Sequence, residues 1–114
     1  LANDDVLCIP QIEDPEGIAN AEAIAAVEGV DIGFLGPNDL ALAMGVDAGS
    51  AEHEAALQSF RQGCERAGTP SGIPAADGTM ARQRIDEGFA FIDLTNDLRF
   101  LQEGAQAALA QLVQ

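Results

Sequence analysis

The stretch Val30-Asp31-Ile32-Gly33-Phe34-Leu35-Gly36-Pro37-Asn38-Asp39-Leu40 decides the reading of this chain. Val30 to Leu35 is mostly apolar, the pattern of a short strand buried in a parallel sheet. Gly36-Pro37-Asn38-Asp39 turns out of that strand, and Leu40 to Met44 reads as a short helix. An acid, Asp39, therefore sits where a strand hands over to a helix. In parallel α/β proteins, such junctions share one face of the molecule, and that face carries the chemistry.

Upstream, Val6 to Ile12 is a second apolar run, ending in Cys8-Ile9-Pro10-Gln11-Ile12-Glu13. It reads as the first strand, with Pro10 counting against a fully paired central position because it has no N–H for the ladder. Asp14-Pro15 marks a helix start, with Asp as N-cap and Pro in the first helical position. Ile18, Ala21, Ile24 and Ala25 form the apolar stripe of one helix that ends at Gly29. Glu13 thus occupies the same kind of junction as Asp39, one strand-helix unit earlier.

Downstream, Gly45 to Ser50 is a loop, with Ser50 as N-cap of a helix that carries Leu57, Phe60, Cys64 and Ala67 on one face and stops at Gly68. A third strand is expected at Ser71 to Ala75, interrupted by Pro74. Asp77-Gly78-Thr79 leads into a helix with Ala81, Ile85 and Gly88 inward, and Phe89 to Leu94 is the fourth strand. Asp97 opens a last helix whose Leu98, Leu101, Ala105, Leu109 and Leu112 keep a period near 3.6.

Strict alternation of four β-α units implies an α/β fold: a parallel sheet with helical crossovers. A closed (β/α)₈ barrel takes eight units and about 250 residues. The 114 residues are then one partial barrel domain, residues 1–114. A free-standing four-stranded parallel sheet is the plain alternative. Ile9 or Ile12 and Phe34 are the residues expected to face a barrel interior. The chain begins at Leu1 and runs almost at once into a strand, so it is expected to be part of something longer.

Composition narrows the function classes. Five basic residues, all Arg, face 19 acids, for a net charge of −14. That balance repels nucleic-acid phosphates and anionic membranes, so neither is expected as a partner. Five Phe and no Trp or Tyr leave the core to Ala, Ile, Leu and Val. Cys8 and Cys64 make no close-spaced motif and read as small hydrophobes, Cys8 in a strand and Cys64 on a helix. No segment reads as a membrane span or signal peptide, which makes the cytoplasm the expected location.

Glu13 and Asp39 together suit a single hard divalent cation held between two carboxylates. The plain alternative for each is an acid favoured by the helix macrodipole. Gln11 points to the same side of its strand as Glu13 and offers an amide N–H to a substrate oxygen; a core-edge Gln is the alternative. Gly36 admits a ligand close to the backbone, and the free N–H groups after it suit a carboxylate, against the alternative of an ordinary tight turn. His53, the only histidine, reads as a surface or cap residue between Glu52 and Glu54.

The pieces Pro10-Gln11-Ile12-Glu13-Asp14-Pro15-Glu16-Gly17, Gly29-Val30-Asp31 and Gly36-Pro37-Asn38-Asp39-Leu40 resemble the HpcH/HpaI aldolases, metal-dependent (class II) pyruvate aldolases related to citrate lyase β-subunits. The resemblance covers the whole chain but only the C-terminal half of a TIM (β/α)₈ barrel. It implies Glu13 and Asp39 as metal ligands, with Mg²⁺ or Mn²⁺ bound and Co²⁺ or Zn²⁺ as alternatives. It implies Gln11 and the Gly36, Asn38 and Asp39 turn as the pyruvate site, and Pro74 near the aldehyde pocket, where the family often has a larger apolar residue. The family's catalytic His and substrate-binding Arg precede this stretch. The implied reaction is cleavage of a 2-keto-4-hydroxy acid to pyruvate and an aldehyde by a carbon-carbon lyase, a homo-oligomer when full length, with this piece inactive alone. The rival readings are an acyl-CoA lyase of the citrate lyase β type and a non-catalytic barrel fragment.

Overall fold

A computed structural model describes residues 5–112. Four strands, β1 (Gln11–Ile12), β2 (Gly33–Leu35), β3 (Ser71–Ala75) and β4 (Phe91–Leu94), form one sheet in the order β1-β2-β3-β4. Every neighbouring pair is parallel. The helices between and after them are α1 (Pro15–Ala19), α2 (Ala21–Ala25), α3 (Pro37–Met44), α4 (Ala51–Ala67), α5 (Gly78–Glu87) and α6 (Asp97–Ala110). The expected β-α alternation is present throughout.

Period-two alternation assigns the two faces of the sheet. Ile12, Leu35 and Ile73 point to the helices and join Ala21, Ala25, Leu57, Phe60 and Cys64 in a single buried cluster. Each Ile, Leu or Phe side chain among them contributes about 1.5–3 kcal/mol when removed from water, before the entropy of ordering is charged against it. On the opposite face, Gln11, Phe34, Gly72 and Phe91 lie in register across the four strands. Phe34 and Phe91 meet edge to face, ring centroids 6.0 Å apart. They do so across Gly72, where a Cβ would approach Phe34 Cδ2 to 2.8 Å and Phe91 Cδ1 to 2.9 Å. Phe34 thus has the interior-facing role expected of it. Ile12 does not: it is buried beneath the helices.

Several local expectations are corrected. The first strand is only Gln11–Ile12; Val6, Leu7 and Cys8 are exposed, and Cys8 is held outside the ladder by Asp31. The helix after Asp14 breaks at Asn20, whose side-chain amide donates to Glu16 O and so competes with the helix ladder. Asp14 and Ser50 cap as expected, and Asp77 caps α5. Asn96, rather than Asp97, caps α6. On α5 the inward residue beside Ala81 is Arg84, paired with Glu54 and Glu87, while Ile85 is exposed.

Pro74 does not interrupt β3. Ser71 and Ala75 turn their carbonyls to β4, accepting from the amides of Ala90 and Thr95. Residues of the other parity turn towards β2, so the missing N–H of Pro74 faces that side. The register with β2 has already ended at Gly72. A proline there costs no ladder bond.

Candidate functional site

Both acidic junctions lie at one end of the sheet because β1 and β2 are adjacent and parallel. The ladder pairs Ile12 with Leu35, and the Gly36 amide donates to Ile12 O at 2.9 Å. Glu13 and Gly36 therefore leave the ladder side by side. Gln11 Nε2 donates to Glu13 Oε2 at 2.7 Å, across one turn of the pleat. A Cβ on Gly36 would come within 2.8 Å of both Gln11 Nε2 and Glu13 Oε2. Only glycine lets the Gln11–Glu13 pair lie against the start of α3.

α3 starts one turn earlier than the sequence suggests, at Pro37 rather than Leu40. Proline is preorganised for the first helical position and has no amide to leave unpaired. Asn38 and Asp39 thus belong to the first helical turn, both exposed. Gly36 caps the helix without a side chain, so the amides of Asn38 and Asp39 have no intrahelical partner. Such a terminus favours an anionic group.

Pro74 reaches the same sheet end from β3 but belongs to a different opening. It lines a cavity of about 320 Å³ with Pro37, Asn38, Asp93, Asn96 and Arg99. Thr95, also in its wall, holds φ at +56°, the one non-glycine residue in the left-handed region among the described residues. Gln11 and Glu13 open instead towards Asp14, Gly17 and Asn20. The structure thus joins Gln11, Glu13 and Gly36 directly, and joins Asn38 to Pro74. Asp39 stands exposed on the first turn of α3. Among the described residues, no three His, Cys, Asp or Glu side chains gather into a metal cluster.

His53 is the largest departure from the sequence reading. It is 3% exposed, in the first turn of α4. Its Nδ1 accepts from the Gly49 amide at 3.0 Å, and its Nε2 lies 2.7 Å from Pro37 O. Sequence signal for this did exist. Positions 53, 57, 60 and 64 keep helical spacing, so the stripe of Leu57, Phe60 and Cys64 extends back onto His53. The flanking Glu52 and Glu54 obscured it. Asp93 and Arg99, in the Pro74 cavity, carried no motif at all. Cys64 is no candidate nucleophile, since burial pushes its thiol up to about 11.

A family model described as HpcH/HpaI aldolase/citrate lyase matches residues 1–104. The chain belongs to this family. Within it, the chain is 41% identical over 102 residues to a hydroxypyruvate/pyruvate aldolase of Pseudomonas aeruginosa, covering 88% of this chain and 38% of that protein. It is 38% identical over 108 residues to a 5-keto-4-deoxy-D-glucarate aldolase of Klebsiella pneumoniae, covering 92% and 42%. A crystal structure of an HpcH/HpaI aldolase/citrate lyase family protein from Burkholderia cenocepacia superposes with a TM-score of 0.92 at 34% identity, over 99% of this chain and 45% of that one. The chain spans less than half the length of these family members. Its four β-α units are accordingly half of the family's TIM barrel. Among the described residues, no helix is long and apolar enough to cross a membrane.

Proposed function

We propose that this chain supplies the cation- and keto-acid-binding half of a class II carbon-carbon lyase, which splits a 2-keto-4-hydroxy acid into pyruvate and an aldehyde. The observation that carries this reading is the Gln11–Glu13 pair packed on Gly36, at the same sheet end as Asp39 and the open N-terminus of α3. The donor set fits a divalent cation: two exposed carboxylates, with a side chain at Gly36 excluded by their neighbour, are hard oxygen ligands of the kind Mg²⁺ or Mn²⁺ takes. Two protein ligands leave other coordination positions to substrate and water. When bound, the cation supplies Lewis acidity towards the keto oxygen and carboxylate of the substrate.

The remaining roles fall to the chain itself. Gln11 orients the Glu13 carboxylate with one amide N–H and has a second to offer a substrate oxygen. The amides of Asn38 and Asp39 receive the substrate carboxylate. Pro74 shapes the wall met by the aldehyde. Among the described residues, the groups that could move a proton here are already committed: His53 to two backbone partners, and Glu13 and Asp39 to the cation in this reading. The chain by itself is therefore a binding half without turnover, and the full-length protein is the lyase.

The test is Asp39→Asn in the full-length protein. A neutral amide is a poorer ligand for a hard cation, so Mn²⁺ affinity should fall at least about tenfold, and pyruvate release should be lost, with an unchanged circular dichroism spectrum. Normal Mn²⁺ binding and turnover in that variant would remove Asp39 from the site and this reading with it.

A further inference from the structure

His53 links two helix starts that are distant in sequence. Its hydrogen-bond partners fix its tautomer. The Gly49 amide can only donate, so Nδ1 carries no proton; the Pro37 carbonyl can only accept, so Nε2 carries one. The ring is thus a neutral strut between the loop before α4 and the first residue of α3. It is also buried, so water cannot replace either bond cheaply. Pro37 lies two residues before Asp39 in the same helical turn, and directly after the Gly36 that carries the Gln11–Glu13 pair.

We propose that His53 is a positioning residue for the cation site: through its Nε2–H bond to Pro37 O it fixes the first turn of α3, and with it the direction in which Asp39 presents its carboxylate. This rests on the assignment of Asp39 as a ligand made above. The bond falls on the carbonyl of the first helical residue, so a shift in it tilts the whole turn rather than one side chain. Residues that orient a ligand from outside the coordination shell typically change metal affinity by about 10–100-fold when removed. Acting through the backbone, His53 should fall at the lower end of that range.

Two substitutions separate the ring's two contacts. In the full-length protein, His53→Gln places a donor amide near the Nε2 position and retains the bond to Pro37. His53→Asn places an acceptor near Nδ1 and retains only the bond from Gly49. Mn²⁺ titration should show affinity within about twofold of wild type for Gln and about tenfold weaker for Asn, at thermal stabilities that do not rank the same way. Ser50→Ala loosens the start of α4, where Ser50 accepts from the His53 amide, without touching Pro37; it should leave Mn²⁺ affinity within about twofold.

Equal affinity for Gln and Asn, or a loss that tracks melting temperature across all three variants, would overturn the proposal. Should His53→Asn fail to fold, His53→Gln alone decides: retained affinity supports the role, and lost affinity ends it. Asp39→Asn serves as the reference. If it leaves Mn²⁺ binding unchanged, the site assignment fails and the role of His53 falls with it. If it abolishes binding while a folded His53→Asn protein binds normally, only the role of His53 falls.

Discussion

α4 and α6 are built from the same instructions and come to different ends. Each starts on a polar cap, Ser50 accepting from the His53 amide and Asn96 from the Arg99 amide. Each carries leucines or phenylalanines at helical spacing. Yet α4 buries His53, Leu57, Phe60, Gly63 and Cys64 against α2 and the sheet, whereas α6 buries none of its residues. Leu98, Leu101 and Leu109 stay at least 60% exposed. An amphipathic stripe is thus a local property of sequence, while its burial depends on what else folds beside it. In this chain the partner surface exists for α4 and not for α6.

The sharpest way to break that contrast is to truncate one apolar residue on each helix. Phe60 is fully buried against the β2 strand, and Phe60→Ala should cost about 3–5 kcal/mol in denaturant unfolding of this chain, from lost transfer energy plus the cavity left behind. Leu101, 71% exposed, has almost no neighbours to lose, so Leu101→Ala should stay within about 0.5 kcal/mol. Comparable losses at the two positions would mean that α6 packs against the chain in solution.

The same contrast runs through the sheet, whose helix-covered face is packed and whose other face carries the Phe34–Phe91 contact over Gly72. Gly72→Ala would push both rings apart, since its Cβ falls inside 3.0 Å of each. The expected cost is about 1–3 kcal/mol, the range for overpacking. A value near zero would show that the rings swing aside freely, and that the open face lacks fixed packing of its own.

How much of this was readable from sequence follows the same division. Element order and parallel pairing were legible, because capping residues such as Asp14 and Ser50 and the apolar runs act within a few residues. Gln11, Glu13 and Gly36 were legible as a group for the same reason: two strand ends and a glycine turn. What escaped depends on contacts across the fold. Nothing near residue 20 states that Asn20 will divert its amide to Glu16 and split a helix. Ile85 and Arg84 are neighbours, and the inward choice of Arg84 is made by Glu54 on another helix. His53 was hidden by acids that point elsewhere. The exposure of α6 could not be read at all, since its sequence is that of a packed helix.

A smaller effect than at Phe60 or Gly72 is expected on the rim of the packed region, where α5 meets α4. Arg84 is 6% exposed and grips both oxygens of Glu54, Nη1 at 2.7 Å and Nη2 at 2.8 Å, while Nη1 also reaches Glu87. Its hydrogen bonding holds the Glu54 carboxyl below the ordinary 4.5, against the partial burial that pushes it up. A carboxyl whose folded value is depressed gives stability that is fully present above its unfolded value and is lost as pH falls through the folded one. Wild type should therefore lose stability between about pH 5 and pH 3, and Glu54→Gln should lose less over that interval. About a third of Glu54 remains in contact with water, and that screening keeps the difference at pH 6 below about 1 kcal/mol. The measurement is urea unfolding of both proteins at pH 6 and pH 3.5. A gap that narrows on acidification places the pair among the contacts that hold α5 to α4. A gap of equal size at both values would mean that Glu54 contributes through packing of its methylenes rather than through its charge.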